Sequence, residues 1–498
     1  MTYNIYADVL KKMGTIKLTE NGAVAYNTTE DATVDLFSTI GAMRNGDSSM
    51  ERVAKMVDAS YYADPLLTAK ILFYARDVRG GMGERDVFRK AIYHCAKNHP
   101  DLLECNLHLI SEYGRWDDMF SLIGTPLEYA MWGIVIEQLK KDTSDAESGK
   151  PISLLAKWMP SADTSSEETR KLASYCAKKM GMSIYDYKRY IRNLRKHLNL
   201  LETNMSSKKW NEIDYSTIPS QAHLRHTEAF YRNDGDRYTE YLNDLADGKT
   251  DIKADTLFPY EIIERICIKN DSSEKSLELM WKNLPNYVGN GGNVIIVADT
   301  SGSMFGRPMA VSVSLALYFA ERNTGPFGGM YMTFSDRPEM IQVDSSISLR
   351  ENYRKMYDGP WGCNTDLAKA LRLLLDVAVK TRCPQKDLPK AIAVITDMEI
   401  DSCEQNSSGW NTIVDVIDSE FREHGYTMPN LIFWNVASRH NTFLGKSNRK
   451  GVQMVSGSSA SVFKAVLGFM NGMTAREAME QVLNDERYAP IKVGTTNI

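Results

Sequence analysis

The chain has 498 residues, with 59 Lys and Arg against 64 Asp and Glu, a formal net charge of −5, and 43% hydrophobic residues. That is the composition of a globular protein with two or three domains. No stretch approaches the roughly 20 apolar residues of a bilayer span, and Met1-Thr-Tyr-Asn-Ile-Tyr lacks the basic start and apolar run of a signal peptide, so a cytoplasmic protein with no membrane partner is expected.

The seven cysteines (Cys95, Cys105, Cys176, Cys267, Cys363, Cys383 and Cys403) are dispersed, with no CxxC pair and no His at zinc spacing. Neither a disulfide framework nor a zinc site is expected from them.

From about Thr29 to Trp281 apolar residues recur mostly at helical spacing, as in Val53, Met56, Val57 and Tyr61, then Leu66, Leu67, Ile71, Leu72 and Ala75. Asp64-Pro65 places a capping carboxylate before a proline at the first helical position. Asp255, ahead of Leu257-Phe-Pro-Tyr-Glu-Ile-Ile, suggests another helix start. Short helices at this density suggest stacked pairs, an α-solenoid of irregular HEAT-like repeats.

Arg76-Asp-Val-Arg79-Gly-Gly-Met-Gly-Glu-Arg85 is a charged glycine-rich loop. Its glycines would let backbone amides approach an anion, and Arg76, Arg79 and Arg85 could clamp phosphate. In Tyr113-Gly-Arg-Trp-Asp-Asp118 the expected roles are structural, an inter-helix turn with Arg115 paired and Trp116 in the core. Ser161-Ala-Asp-Thr-Ser-Ser-Glu-Glu reads as a loop. Between Arg170 and Lys209 there follow eleven Lys and Arg against Asp186 and Glu202, an excess of nine (eleven minus two) inside an acidic chain. Such a run is either a solvated helical face or an electrostatic footprint. Lys188, Arg192, Arg195 and Lys196 stand at i, i+4, i+7 and i+8, one face of a helix. For His223 and His226, in Pro219-Ser-Gln-Ala-His-Leu-Arg-His, a structural role is favoured over a functional one.

After Asn290-Gly-Gly the pattern changes. Val294-Ile-Ile-Val-Ala, Met330-Tyr-Met-Thr-Phe, Ala391-Ile-Ala-Val-Ile and Leu431-Ile-Phe-Trp-Asn-Val read as strands. Between and after them come helical patterns at 308–322, 366–379, 412–421 and 460–471. Alternation of this kind requires a mainly parallel, doubly wound α/β sheet. Ligands of such sheets lie beyond the carboxyl ends of the strands. Asp299-Thr-Ser301-Gly-Ser303 follows the first strand, Asp397 the third of these runs, and Asn364-Thr365-Asp366 opens a helix. Two carboxylates and three hydroxyls from three loops make an oxygen-only site suited to Mg2+, with Mn2+ or Ca2+ as alternatives.

These residues resemble the metal-ion-dependent adhesion site of the von Willebrand factor A (vWA) family. On that resemblance the metal ligands are Asp299, Ser301, Ser303, Thr365 and Asp397, and the site captures an acidic side chain of a partner without any catalytic base. Met398 stands where the family often has glycine, and Glu399 lies close enough to alter the coordination.

The loop at 76–85, Tyr113-Gly-Arg-Trp-Asp-Asp, Leu154-Leu-Ala-Lys-Trp-Met-Pro-Ser, Tyr187-Lys-Arg-Tyr-Ile-Arg-Asn-Leu-Arg and Met205-Ser-Ser-Lys-Lys-Trp resemble the TROVE module of the Ro autoantigen family and a related helical-plus-vWA family. The resemblance implies a ring of helical repeats closed by the vWA domain, with domains at 1–285 and 286–475 and a tail at 476–498. It implies a ribonucleoprotein role in RNA handling or quality control, with structured RNA on a basic outer surface and single-stranded ends in the ring. Lys178, Lys179, Lys188, Arg189, Arg192, Arg195 and Lys196 would then contact phosphate, with Tyr187, Tyr190 and His197 available for stacking. The competing expectation is a protein-interaction scaffold in which the metal grips a partner carboxylate. A metal-dependent hydrolase fits least, because no nucleophile–base pair is visible.

Overall fold

In the computed structural model the described residues are 15–43, 49–198, 200–268, 273–289, 292–334, 337–357, 366–400, 412–468 and 472–494. A helical part and an α/β part share one continuous cluster of buried apolar residues. No described helix is long and apolar enough to cross a membrane.

The helical part is set by local capping and by faces that bury. Asp64 ends Met50–Ala63 and starts Pro65–Arg76: its N–H donates to the Ser60 carbonyl, and its carboxylate accepts the Leu67 N–H at 2.9 Å. From Leu67 to Arg76 the second helix is buried at every position but Lys70, so it is packed nearly all round. Asp86–Asn98 packs against both helices. Further along are Glu128–Glu147, Glu167–Lys179, Ile184–His197, Glu274–Lys282 and the long Ser220–Ala246, which kinks at Asp234. The helix start expected at Asp255 lies further on, at Pro259. There Glu261 accepts the Phe258 N–H at 2.9 Å, while Asp255 accepts the Ser220 hydroxyl.

The six-stranded sheet has the order β5-β4-β3-β6-β7-β8. Its strands are β3 (Val294–Asp299), β4 (Met330–Phe334), β5 (Met340–Gln342), β6 (Ala391–Thr396), β7 (Asn430–Asn435) and β8 (Val452–Ser456). All neighbours are parallel except β4 and β5. Every residue of β3 and β6 is buried, which is why both read as unbroken apolar runs. The chain leaves β3 toward β4 and returns to β6 on the other side. The carboxyl ends of β3 and β6 therefore flank the crevice where the winding reverses, the position at which such sheets hold ligands.

Both chain ends depart from the expected division. The hairpin of β1 (Ile16–Leu18) and β2 (Val24–Tyr26) belongs spatially to the α/β part: Tyr26 bridges Phe443, and the Thr19 hydroxyl donates to the Ile400 carbonyl at 2.6 Å. The tail expected at 476–498 is a helix over Ala475–Leu483 that packs on Pro65–Arg76. Beyond it Arg487 grips Asp77 through both carboxylate oxygens, and Asn106 exchanges two hydrogen bonds with the Lys492 backbone. Apolar positions drive this docking: Ala478, Met479, Leu483, Tyr488 and Ile491 are buried.

Candidate functional site

Asp299, the last residue of β3, is fully buried, and the loop beyond it folds back on its carboxylate. The Ser301 N–H donates to Oδ1 at 2.9 Å and the Thr396 hydroxyl, from the end of β6, to Oδ2 at 2.6 Å. The Ser301 and Ser303 hydroxyls lie 3.0 Å apart. Asp397 follows β6, buried; its Oδ1 accepts the Glu399 N–H at 3.1 Å and its Oδ2 meets Arg439 Nη2 at 2.7 Å. Burial, then the neighbouring Asp397 charge, pushes the Asp299 carboxyl up to about 7, against the hydrogen bonds from Thr396 and Ser301.

Four of the five expected ligands thus belong to one crevice. The fifth, Thr365, lies outside the described residues with Asn364, whereas Asp366 caps Leu367–Thr381 by accepting the Lys369 N–H at 3.0 Å. Met398 adopts φ +70°, in the left-handed region that glycine takes freely. Glu399 is turned outward to the hairpin: its carboxylate accepts the Glu20 N–H at 2.6 Å and the Thr442 hydroxyl at 3.4 Å. The donor set fits a hard divalent cation. It is all oxygen, and it buries two carboxylates side by side, the Asp397 charge adding to burial in raising Asp299.

Two participants went unread in the sequence. Thr396 is the last residue of an apolar run and looks like part of the strand. Arg439, four residues beyond β7, also reaches Glu20 at 3.6 Å and so ties the hairpin to the crevice edge. Its signal was positional, since chemistry gathers after each strand of such a sheet.

The cationic surfaces are smaller than expected. Arg76 is buried, its Nε 2.7 Å from Asp118 Oδ2, and Arg89 Nε holds the other oxygen at 2.6 Å. Desolvation of both partners fixes Arg76 as a core ion pair and removes it from phosphate contact. The glycine loop around it is already filled by an internal anion: Asp77 accepts the Arg79 and Gly80 N–H groups at 3.0 and 3.2 Å. Gly81 fits so tightly that a Cβ would stand 2.0 Å from the Tyr74 carbonyl oxygen. Arg79 is exposed and lies against Glu112, at 3.0 Å from its carbonyl; Arg85 is exposed. Arg115 stacks on Trp158 at 4.7 Å, so its partner is an aromatic ring, and Trp116 is partly buried against the core.

On Ile184–His197 the inward face is Tyr187, Ile191 and Leu194. Arg195 borders it and is spent on the chain itself, donating to the Ala156 and Met159 carbonyls at 2.9 and 2.7 Å. Tyr187 is buried, with its hydroxyl on the Pro160 carbonyl, and the Tyr190 hydroxyl lies 3.0 Å from the Leu139 carbonyl; neither offers the open stacking face expected of it. Lys179, Lys188 and Arg189 pair with Glu128, Asp163 and Asp186. Lys178, Arg192 and Lys196 are exposed and, among the described residues, form no ion pair; His197 is exposed beside them. His223 is buried, with Nε2 2.9 Å from the Tyr238 hydroxyl, in keeping with a structural role.

Comparison with known proteins adds the following. Residues 293–496 match a family described as a domain of unknown function, DUF7788. Residues 19–128 and 182–292 match a second domain of unknown function, DUF2828. An uncharacterized protein of Acanthamoeba polyphaga mimivirus is 28% identical over 501 residues, covering 91% of this chain and 85% of that protein. Among solved structures, the Deinococcus radiodurans Ro (RSR) protein aligns with a TM-score of 0.49 and 12% identity, over 88% of this chain and 99% of that one.

Proposed function

We propose that this chain is a ligand-capture protein whose α/β part holds one divalent cation, Mg2+ in the first instance, and there binds an anionic group of a partner. The reading rests on one observation: the buried Asp299–Asp397 pair beside Ser301 and Ser303 at the reversal point of the sheet. Thr365 is carried as a further ligand on the vWA resemblance alone. The cation would supply an electropositive anchor with positions open to a ligand oxygen. The chain's own residues set the donors: Thr396 and the Ser301 N–H fix Asp299, and Arg439 occupies the Asp397 oxygen for which a cation would compete. Calorimetric titration of the full chain with Mg2+ or Mn2+ tests this. One equivalent should bind, and Asp299→Ala should weaken binding by on the order of tenfold or more. Equal affinity in the variant refutes the assignment.

A second reading, RNA binding by the helical part, is favoured by Lys178, Arg192 and Lys196, which are exposed and, among the described residues, without carboxylate partners in a chain of net charge −5. Their joint replacement by Glu should weaken RNA binding and flatten its salt dependence by about one unit of slope for each lost phosphate contact. Unchanged RNA affinity removes this reading. Loss of a protein partner in Asp299→Ala with RNA binding intact separates the two.

A further inference from the structure

The geometry points to a second metal site, made of Asp58, His94 and His99, that takes a divalent transition cation of the Zn2+ or Co2+ type. It lies in the helical part and shares no residue with the crevice of the sheet.

Met50–Ala63 and Asp86–Asn98 pack side by side, and Asp58 on the first faces the carboxyl end of the second. Asp58 Oδ1 lies 2.6 Å from Nε2 of both His94 and His99, and the three prospective ligand atoms are all within 4.8 Å of one another. In a continuous helix residues five apart point about 140° away from each other. The two rings converge because the helix stops at Asn98: His99 leaves it with φ −140° and ψ 59°, its N–H still on the Cys95 carbonyl. Pro100 follows and disfavours the helical conformation at His99.

Both rings are held from behind. Tyr61 stacks on His99 with centroids 3.9 Å apart, and its hydroxyl donates to Asp101 at 2.8 Å. The Asn98 amide lies 3.1 Å from His94 Nδ1. With its nitrogen there, the amide leaves the proton on Nε2, and the three residues form a hydrogen-bonded clasp. The same amide nitrogen donates to the His94 carbonyl at 3.1 Å, so a cation on Nε2 moves the ring proton to Nδ1 and displaces the amide from its Nδ1 contact. Partial burial raises the Asp58 carboxyl, but the hydrogen bonds from His94 and His99 outweigh it and hold the group below the usual carboxylate range. The neighbouring Cys95 is buried and stands outside this group of three ligands. His99 is buried and the Asp58 side chain is 37% exposed, so the centre is walled on one side and open to solvent on the other. Two imidazoles, one carboxylate and an open side match borderline transition cations, whereas the all-oxygen crevice matches hard ones.

The test uses the full chain, freed of any affinity tag, stripped with chelator, supplied with excess Mg2+ to occupy the oxygen site and titrated with Co2+. Visible ligand-field absorption should saturate at one equivalent. The proton spectrum should show two solvent-exchangeable, hyperfine-shifted imidazole N–H resonances, a signature that the oxygen-only crevice cannot give. His94→Gln and Asp58→Asn should each weaken Co2+ by on the order of tenfold or more. No visible bands, bands without shifted imidazole N–H signals, or unchanged affinity in His94→Gln would overturn the site and leave a purely hydrogen-bonded clasp. The resonance count in the unsubstituted chain decides the matter even if a variant folds poorly.

Discussion

His223 gives a prediction whose size follows from its surroundings. The ring is buried in Ser220–Ala246; Nε2 faces the Tyr238 hydroxyl, which in turn meets Ser276 Oγ at 2.8 Å, and Nδ1 has no partner among the described residues. Burial alone pushes the imidazole down to about 3, whereas an unfolded chain titrates near 6.5. Between those values the unfolded state binds the proton and the folded state does not, so stability is complete above pH 6.5 and drains away as pH falls toward 3. At pH 4.5 the unfolded ring is protonated and the folded ring is not, a loss of about 3 kcal/mol. His223→Gln keeps a polar atom for Tyr238 but carries no titrating group. Urea unfolding of both proteins at pH 7.5 and pH 4.5, compared through midpoint and slope, should show the wild type losing about 3 kcal/mol more than the variant over that interval. Parallel losses would refute the reasoning, for they would mean that the ring is protonated in the folded state.

Two further predictions concern the charged residues whose roles changed. Asp118→Asn strips the compensating charge from buried Arg76, while Arg89 keeps its pair with Asp117, and should cost about 3–5 kcal/mol in chemical unfolding; a loss below about 1 kcal/mol would mean that Arg76 is reached by water. Arg439→Met removes the cation already seated on Asp397 and should tighten Mg2+ severalfold by calorimetry, whereas weaker binding would show that Arg439 assists the cation in place of competing with it.

What the sequence revealed follows from how each element is exposed. β3, β6 and β7 were legible because strands buried on both faces read as unbroken apolar runs, and Asp299 and Asp397 were found by looking just past them. β5 and the two hairpin strands are only three residues long, and β8, Val-Gln-Met-Val-Ser, has a polar residue in a fully buried strand, so none stood out. The cationic surface was over-read because residue type does not reveal desolvation. Arg195 is four residues from Ile191 and next to Leu194, at the edge of the apolar stripe, which placed its stem inward. Arg76 ends a helix that is buried almost all round, and nothing local names its partner 42 residues on. Asp58, His94 and His99 are illegible for a similar reason: the two histidines stand five apart, off any regular helical spacing, and only the helix end brings them together.

The crossed chain ends have a consequence for the 285–292 linker. The hairpin at 16–26 finishes the α/β part, and residues 475–494 finish the helical part. A chain cut in that linker would consist of two pieces, each wearing a segment that the other needs. Such pieces should co-purify as a complex and unfold together, and either one alone would present to water the apolar seam that its missing partner covers. Covalent continuity at the linker is then a matter of assembly kinetics, and the interleaved ends add to the packing of Pro259–Ile263 on Arg307–Arg322 in making the two parts one folding unit.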